Sequence, residues 1–145
     1  MFNQNIDDRL SSWAQHRTHL NQCETPFQDT WEFWKSAPYI PYNNKIDPYH
    51  QQSWPSPWEI IVGNQYDDFT KSLMIGWSLL LTTRFKSSNI VIKTLIDKKN
   101  KNIGYNIVCI DDTWAINFND NGPVLVSEIP DDLILENIID MPLPN

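Results

Sequence analysis

The sequence predicts an α+β protein in which helices come first and an antiparallel sheet follows. Apolar residues recur at helical spacing in the first 37 residues and again over 66–84. From residue 89 onward, short β-branched segments alternate with turn sequences, and no helical pattern separates them. Since strands with short connections pair antiparallel, we expect one buried central helix, 66–84, packed on a mainly antiparallel sheet of about four strands.

Residues 1–37 predict a helical hairpin. The first helix spans 6–21 and carries one apolar stripe: Ile6, Leu10, Trp13 and Leu20. The second begins at "TPFQ", where we expect Thr25 to be the N-cap, Pro26 to take the first helical position and Gln28 to complete a capping box. This second helix is expected to reach about residue 37.

Residues 38–57, here called the proline arm, differ in composition from the helices that precede them. The stretch "PYIPYNNKIDPYHQQSWPSP" has five prolines and no helical or strand period. Proline fixes φ and removes a backbone donor, so we expect an extended segment. Its large aromatic side chains predict that it lies along the domain or wraps onto a neighbour.

Two further helix starts follow the proline arm. "SPWE" predicts a short helix with Ser56 as N-cap, a capping box, and Gly63 as the left-handed residue at its end. Asp67 and Asp68 then stand where acids favour a helix N-terminus. The helix that they open, 66–84, is apolar on nearly every side, which predicts that it is buried on most sides.

The last third of the chain is expected to form the sheet and a tail. The turn sequences "DKKNKN", "IDDT" and "NDNG" separate four predicted strands: 89–96, 104–111, 113–118 and 123–129. The tail, residues 130–145, contains both acidic and apolar side chains. We expect one domain over 1–145, composed of the hairpin, the proline arm, a helix-plus-sheet core and a C-terminal arm: 1–37, 38–57, 58–129 and 130–145.

Composition argues against several classes of partner. The formal net charge is −7 and the basic residues form no patch, so we expect no nucleic-acid binding. The longest apolar run, 73–81, is far shorter than the roughly 20 residues of a membrane span. The first ten residues lack the apolar region of a secretory signal, and two cysteines form no disulfide framework. We expect a reducing intracellular origin.

Polar clusters in the sequence favour structural roles. His16, His19 and Cys23 share one helical face and are compatible with metal ligation, or else form a polar flank beside the apolar stripe. Cys109 lies within a predicted strand, where a buried thiol is inert. Three aspartate pairs coincide with helix starts or turns: 67/68, 111/112 and 131/132. We predict no catalytic residue, metal, cofactor or small-molecule ligand.

Two stretches resemble the core of the transglutaminase-like fold, a branch of the papain-like group. They are "YDDFTKSLMIGWSLLLTTRF" (66–85) and "GYNIVCIDDTWAINFND" (104–120). The resemblance implies a buried helix with a catalytic cysteine at its start, a strand with a histidine, and a third strand with an aspartate or asparagine. Those positions fall at Tyr66, near Asn106 and near Asn117. The triad is therefore not intact, and we lean against an enzyme.

The whole chain also resembles small proteins of tailed bacteriophages, especially marine ones, in "DRLSSWAQHR", "FWKSAPYIPY", "DPYHQQSWPSPWEII" and "YDDFTKSLMIGWSLLLT". The resemblance implies a phage source but no mechanism. Compact size, residue usage typical of an AT-rich genome, arms rich in tryptophan and proline, and the lack of a catalytic set predict a non-catalytic structural or assembly component of the virion (neck, tail or baseplate), assembled in the bacterial host cytoplasm. Its partners would be other virion proteins, with copies of itself as an open possibility. The alternatives are a soluble phage adaptor that binds a host protein, and a divergent transglutaminase-like cysteine hydrolase using Cys23 or Cys109.

We expect such contacts to be made by two arms, 38–57 and 130–145. A backbone stiffened by proline loses little entropy on docking, and aromatic anchors dominate interfaces. The candidate contact residues are Tyr39, Tyr42, Tyr49, Trp54, Leu133, Leu135, Ile138 and Ile139. The alternative is that both arms fold back on their own domain and complete its core.

Overall fold

The computed structural model describes all 145 residues and has the α+β architecture that the sequence predicts. Four helices come first: α1 (Ile6–Leu20), α2 (Pro26–Trp34), α3 (Pro57–Gly63) and α4 (Asp68–Leu80). Five strands follow: β1 (Ile90–Asp97), β2 (Ile103–Ile110), β3 (Trp114–Ile116), β4 (Val124–Leu125) and β5 (Ile134–Asp140). They form one antiparallel sheet in the order β4-β3-β2-β1-β5, so the sheet has five strands, not four.

The additional strand, β5, comes from the segment expected to be a C-terminal arm. It pairs antiparallel with β1, and Ile139 lies opposite Ile92 on the side of the sheet that faces the main core. Because β2 occupies only one edge of β1, the other edge needs a partner for its backbone groups. The flanking acids and prolines obscured this strand in the sequence.

Helix α4 is the buried central helix that the sequence predicts. It contacts β1 and β2 on one side and α1 and α2 on the other. The helix ends at Leu80 and does not continue to Arg84. Thr82 explains the difference, because its hydroxyl donates to the carbonyl of Leu79 (2.6 Å) and accepts from the backbone N–H of Phe85 (3.1 Å), which closes a turn.

The main core holds 21 buried residues and draws on all four segments of the chain. Ser78 on α4 places a side-chain hydroxyl between two of its tryptophans. Its oxygen accepts hydrogen bonds from the indole N–H of Trp13 (2.9 Å) and of Trp34 (3.0 Å), and it donates to the carbonyl of Met74 (2.7 Å). The indole N–H groups of Trp13 and Trp34 are therefore both paired, as burial requires.

A second, smaller core lies on the face of the sheet opposite the helices. Its buried members are Val91, Leu95, Ile107, Cys109 and Ala115. Residues from the 118–133 segment cover them, among them Phe118, Val126 and Leu133. That segment contains only the short strand β4 and a 3-10 turn, Val126–Glu128, where a longer strand over 123–129 was predicted.

The proline arm lies along the chain's own domain. Ile46 and Trp54 are buried in the main core, and Tyr39 forms an isolated bridge with Tyr66. The arm is irregular apart from this bridge and one 3-10 turn, Gln51–Ser53. Two of its apolar side chains thus hold it in place and leave its tyrosines outside.

The capping box predicted at α3 is present. The Ser56 hydroxyl accepts from the backbone N–H of Glu59, and the Glu59 carboxylate accepts from the backbone N–H of Ser56, both at 3.2 Å. The left-handed residue that ends α3 is Asn64 (φ 55°), however, and not Gly63. Asparagine tolerates this conformation better than most residues.

The capping box predicted at α2 is absent. The hydroxyl of Thr25 donates to the Asp29 carboxylate (2.9 Å), and the amide of Gln28 donates to Glu32 (2.8 Å), so neither reaches the helix start. The helix also ends at Trp34, earlier than predicted. None of the four helices has both the length and the apolarity that crossing a membrane requires.

Trp77 provides a test of the burial of α4. Its side chain is 1% exposed, contacts Trp54 edge-to-face and donates its indole N–H to the carbonyl of Pro142 (2.9 Å). We expect Trp77→Ala to lower the free energy of unfolding by about 3–5 kcal/mol, measured by urea denaturation. The control is Trp58→Ala at a position that is 41% exposed; an equal loss there would contradict the assignment.

Candidate functional site: a cleft between the proline arm and β5

A surface cleft of about 250 Å3 lies beside the start of α4. The proline arm forms one wall, and β1, β2 and β5 contribute to the others. Its lining includes Tyr42, Tyr49, Asp67, Asp68, Asn106 and Glu136. The cleft therefore combines aromatic rings with carboxylates, and of the three positions that the resemblance singles out only Asn106 lines it.

Asp67 joins the proline arm to α4. One carboxylate oxygen caps the helix by accepting from the backbone N–H of Thr70 (2.7 Å) and from its hydroxyl (2.6 Å). The other oxygen accepts from the backbone N–H of Asn43 in the arm (2.9 Å). Both carboxylate oxygens are thus used for structure, as expected for an acid at a helix N-terminus.

Asp68, the next residue, faces two asparagines of the sheet. Its carboxylate accepts from the side-chain amide of Asn106 on β2 (2.9 Å) and from the side-chain amide of Asn117 just after β3 (3.2 Å). The backbone N–H of Asn106 adds a longer bond at 3.3 Å. Asn117 reaches this position with φ at 73°, a left-handed conformation.

Ser72, one helical turn after Asp68, completes the network. Its hydroxyl donates to the backbone carbonyl of Asn106 (2.5 Å) and accepts from the side-chain amide of Asn117 (2.7 Å). A nucleophilic serine needs a neighbouring base to take its proton. Here the Ser72 hydroxyl donates its hydrogen bond to a backbone carbonyl oxygen, which is not a base. The network therefore holds side chains in position and does not activate Ser72 as a nucleophile.

Of the three positions that the resemblance singles out, the structure brings two together. The side-chain amide of Asn117 donates to the carbonyl of Asn106 (3.1 Å). Tyr66 is instead buried in the main core against Phe2 and Trp34, and its hydroxyl has no hydrogen-bond partner. Burial raises the pKa of Tyr66 far above its ordinary value.

Sequence reasoning missed Asp68 and Ser72 as members of this site. Their spacing of four residues puts both on one face of α4, which is a signal visible in the sequence. That signal could not identify Asn117 as their partner, because the contact depends on how β3 ends. Asn106 was singled out only through the resemblance.

Neither cysteine lies in the cleft. Cys109 is buried in the second core, and burial raises the pKa of its thiol. Cys23 is half-buried in the connection between α1 and α2, where burial and a hydrogen bond to Asp29 raise its pKa. Both thiols are therefore less ionised than a free cysteine, which is unfavourable for a nucleophile.

The structure also separates the three residues considered as metal ligands. His16 is buried, stacks on Phe33 with ring centroids 4.0 Å apart, and meets the hydroxyl of Thr30 at 3.1 Å. His19 and Cys23 point elsewhere and meet Asp29 of α2. Residues three apart on a helix differ by about 60° in direction, so only one of the two histidines faces the core.

The eight predicted contact residues divide into exposed and buried groups. Three tyrosines and two aliphatic residues are exposed: Tyr39, Tyr42, Tyr49, Leu135 and Ile138. Leu133 is half-buried over the second core. Trp54 and Ile139 are buried in the main core and are corrections to the prediction, because each anchors its segment to the chain's own fold.

The two predicted arms meet at Tyr49. A second cleft of about 290 Å3 is lined by Pro48, Tyr49 and the β5 residues Asn137, Ile138 and Ile139. Pro48 and Tyr49 also line the first cleft. The exposed parts of the proline arm and β5 therefore form one continuous surface, here called the arm–strand surface.

In comparisons with protein-family models, with curated proteins and with solved structures, nothing matched this chain.

Tyr66 and Asp67 are expected to respond in opposite ways to substitution. Tyr66→Phe removes a buried hydroxyl without a partner and should raise the free energy of unfolding by about 1 kcal/mol. Asp67→Ala removes a helix cap and should lower it by about 2 kcal/mol. Chemical denaturation measures both, and a destabilised Tyr66→Phe protein would contradict the burial of an unpaired hydroxyl.

The burial of His16 predicts that the protein loses stability in mild acid. Burial, followed by the charge of His19, lowers the pKa of His16 from 6.5 to about 4; Arg17 acts the same way and Asp29 opposes it. Between pH 6.5 and 4 the unfolded chain binds a proton that the folded one excludes. The free energy of unfolding should therefore fall by up to roughly 3 kcal/mol as the pH drops through this window.

The measurement is the melting temperature across this pH range for the unchanged protein and for His16→Gln. Glutamine does not titrate, so the variant should lose this component of the pH dependence. The matched control is the exposed His50, whose replacement by glutamine should leave the component in place. Identical pH profiles for the unchanged and His16→Gln proteins would refute the assignment.

Proposed function

We propose that the protein is a non-catalytic structural or assembly component of a tailed-phage virion, at the neck, tail or baseplate, and that it works by contacting other virion proteins. The resemblance of the sequence to small phage proteins supports the proposal that the protein belongs to a virion. The observation that carries the contact role is the arm–strand surface, where Tyr42 is 72% exposed and Ile138 is 53% exposed.

The backbone of β5 favours contact with an extended segment of a partner. β5 is the last strand of the sheet, and its only strand neighbour is β1. Its outer edge therefore presents unpaired N–H and C=O groups that an added strand can use. Beside this edge, Tyr49 offers an aromatic anchor on a segment that proline already holds in shape.

The charge of the surface favours a basic partner segment. Asp67, Asp68 and Glu136 line the first cleft beside Tyr42 and Tyr49. A lysine or arginine side chain in this cleft would meet carboxylates and aromatic faces together, and both attract a cation. The partner that fits is an extended chain with at least one basic residue.

Deletion of the tail is not a clean test of this proposal. Removing the residues after Pro130 would remove β5 from the sheet and Ile139 from the core, so a loss of assembly would follow from unfolding alone. Substitutions of exposed side chains avoid this problem, because they leave the backbone pairing in place.

The test replaces two exposed anchors, Tyr42→Ser with Tyr49→Ser, in the phage that encodes the protein. Two lost anchors of about 2 kcal/mol each predict that the amount in purified particles, measured by mass spectrometry, falls more than tenfold. The matched control is Val62→Ser, an exposed apolar residue on α3. Both proteins should keep the unchanged melting temperature.

Absence of the unchanged protein from purified particles would overturn the virion assignment. Full incorporation of the double variant would overturn the role of the arm–strand surface. A third outcome, in which the protein stays outside particles but binds a host protein through the same two tyrosines, would favour the adaptor alternative.

A further inference from the structure

We propose that the α1–α2 hairpin binds a Zn²⁺ ion through His19, Cys23 and Asp29. The three possible donor atoms, one from each side chain, all lie within 4.8 Å of one another. His19 is in the last turn of α1, Cys23 in the connection, and Asp29 in the first turn of α2. The site shares no residue with the arm–strand surface and is independent of the function proposed there.

The connection that carries Cys23 is held in place by Arg84, which follows α4. The guanidinium donates to the backbone carbonyl of Cys23 (2.7 Å) and of Leu20 (3.3 Å). The backbone N–H of Arg84 also donates to the side chain of Asn21 (3.0 Å). A fixed loop reduces the conformational entropy that is lost when an ion orders its ligands.

The set of donors suits a borderline transition metal. An imidazole nitrogen, a thiolate sulfur and a carboxylate oxygen are all established Zn²⁺ ligands, and three protein ligands with one water complete a tetrahedron. The His19 side chain is 54% exposed, so solvent can supply the fourth ligand. The thiolate and the Asp29 carboxylate together balance the charge of the ion.

Little movement is needed to admit the ion. His19 Nε2 and Asp29 Oδ2 are now hydrogen-bonded at 2.7 Å. Two such ligands on a tetrahedral zinc ion lie about 3.4 Å apart, so the pair must open by about 0.7 Å. The Thr25 hydroxyl, which donates to the other oxygen of Asp29 (2.9 Å), would keep that carboxylate oriented as an outer partner.

Two features around Cys23 oppose metal binding: burial and the hydrogen bond to Asp29 raise the pKa of the thiol, and Arg84 is a nearby positive charge. The charge of Arg84 repels a cation, but it also favours the thiolate form of Cys23, which is the form that binds metal. Asp29 attracts the cation directly. The consequence of binding is a clip that joins the two helices of the hairpin, because its ligands come from both of them and from their connection.

The experiment titrates the purified full-length protein with Co²⁺, followed by competition with Zn²⁺. Binding is expected to give the absorption band of a thiolate bound to cobalt. Cys23→Ser should abolish that band, and His19→Ala should weaken Zn²⁺ binding by at least about a hundredfold, since loss of even an outer partner costs about 10–100-fold. Unchanged circular dichroism verifies that each variant folds.

Two matched controls come from the same chain. Cys109→Ser removes the other cysteine, which is buried. His50→Ala removes a histidine that also pairs with an aspartate, Asp47 (2.6 Å), but without a cysteine nearby. Both variants should bind Co²⁺ like the unchanged protein. Equal weakening in His50→Ala and His19→Ala, or the absence of a thiolate band, would overturn the proposal.

A second measurement needs no substitution. Saturating Zn²⁺ should slow the alkylation of Cys23 by iodoacetamide at least tenfold, because a coordinated thiolate is withdrawn from reaction, while the rate at Cys109 stays the same. Mass spectrometry of peptides reports the two sites separately. An unchanged rate at Cys23 would refute the site even if His19→Ala or Cys23→Ser fails to fold.

Discussion

The structure depends on one constraint: α4 is apolar on nearly every side and must be covered on every side. The sheet covers one side, and the hairpin covers the other. Ser78, a polar residue on this helix, is paired within the core because it accepts the indole N–H groups of Trp13 and Trp34. Gly76 lets the C-terminal segment pass close to the helix, since a Cβ there would lie 2.8 Å from the sulfur of Met141.

The same constraint explains why the arms are only partly available to a partner. Trp54 from the proline arm and Ile139 from β5 are used to cover α4 and its sheet, and this fixes both segments on the domain. Their neighbours Tyr49 and Ile138 then point outward at adjacent places. A surface with exposed aromatic and aliphatic side chains is thus a consequence of how the core is completed.

The start of α4 shows how side chains with a structural role stabilise a helix N-terminus. Its positive end is met by the carboxylates of Asp67 and Asp68, and the amides of Asn106 and Asn117 meet Asp68 in turn. A thiolate and an imidazole at these places could exchange a proton. Here a carboxylate accepts hydrogen bonds from two amides instead, and this fixes the position of the Asp68 side chain beside the cleft.

Features that depend on residues close together in the chain could be predicted from local patterns. The α+β order, the burial of α4 and the capping box of Ser56 and Glu59 follow from local periodicity and spacing. The remaining features depend on contacts that exist only in the folded protein. The pairing of β5 with β1, the bond between Asp68 and Asn106, 38 residues apart, and the approach of Asp29 to His19 all join distant segments. Such contacts form because core packing brings those segments together, and no local pattern of residues encodes the distance between them.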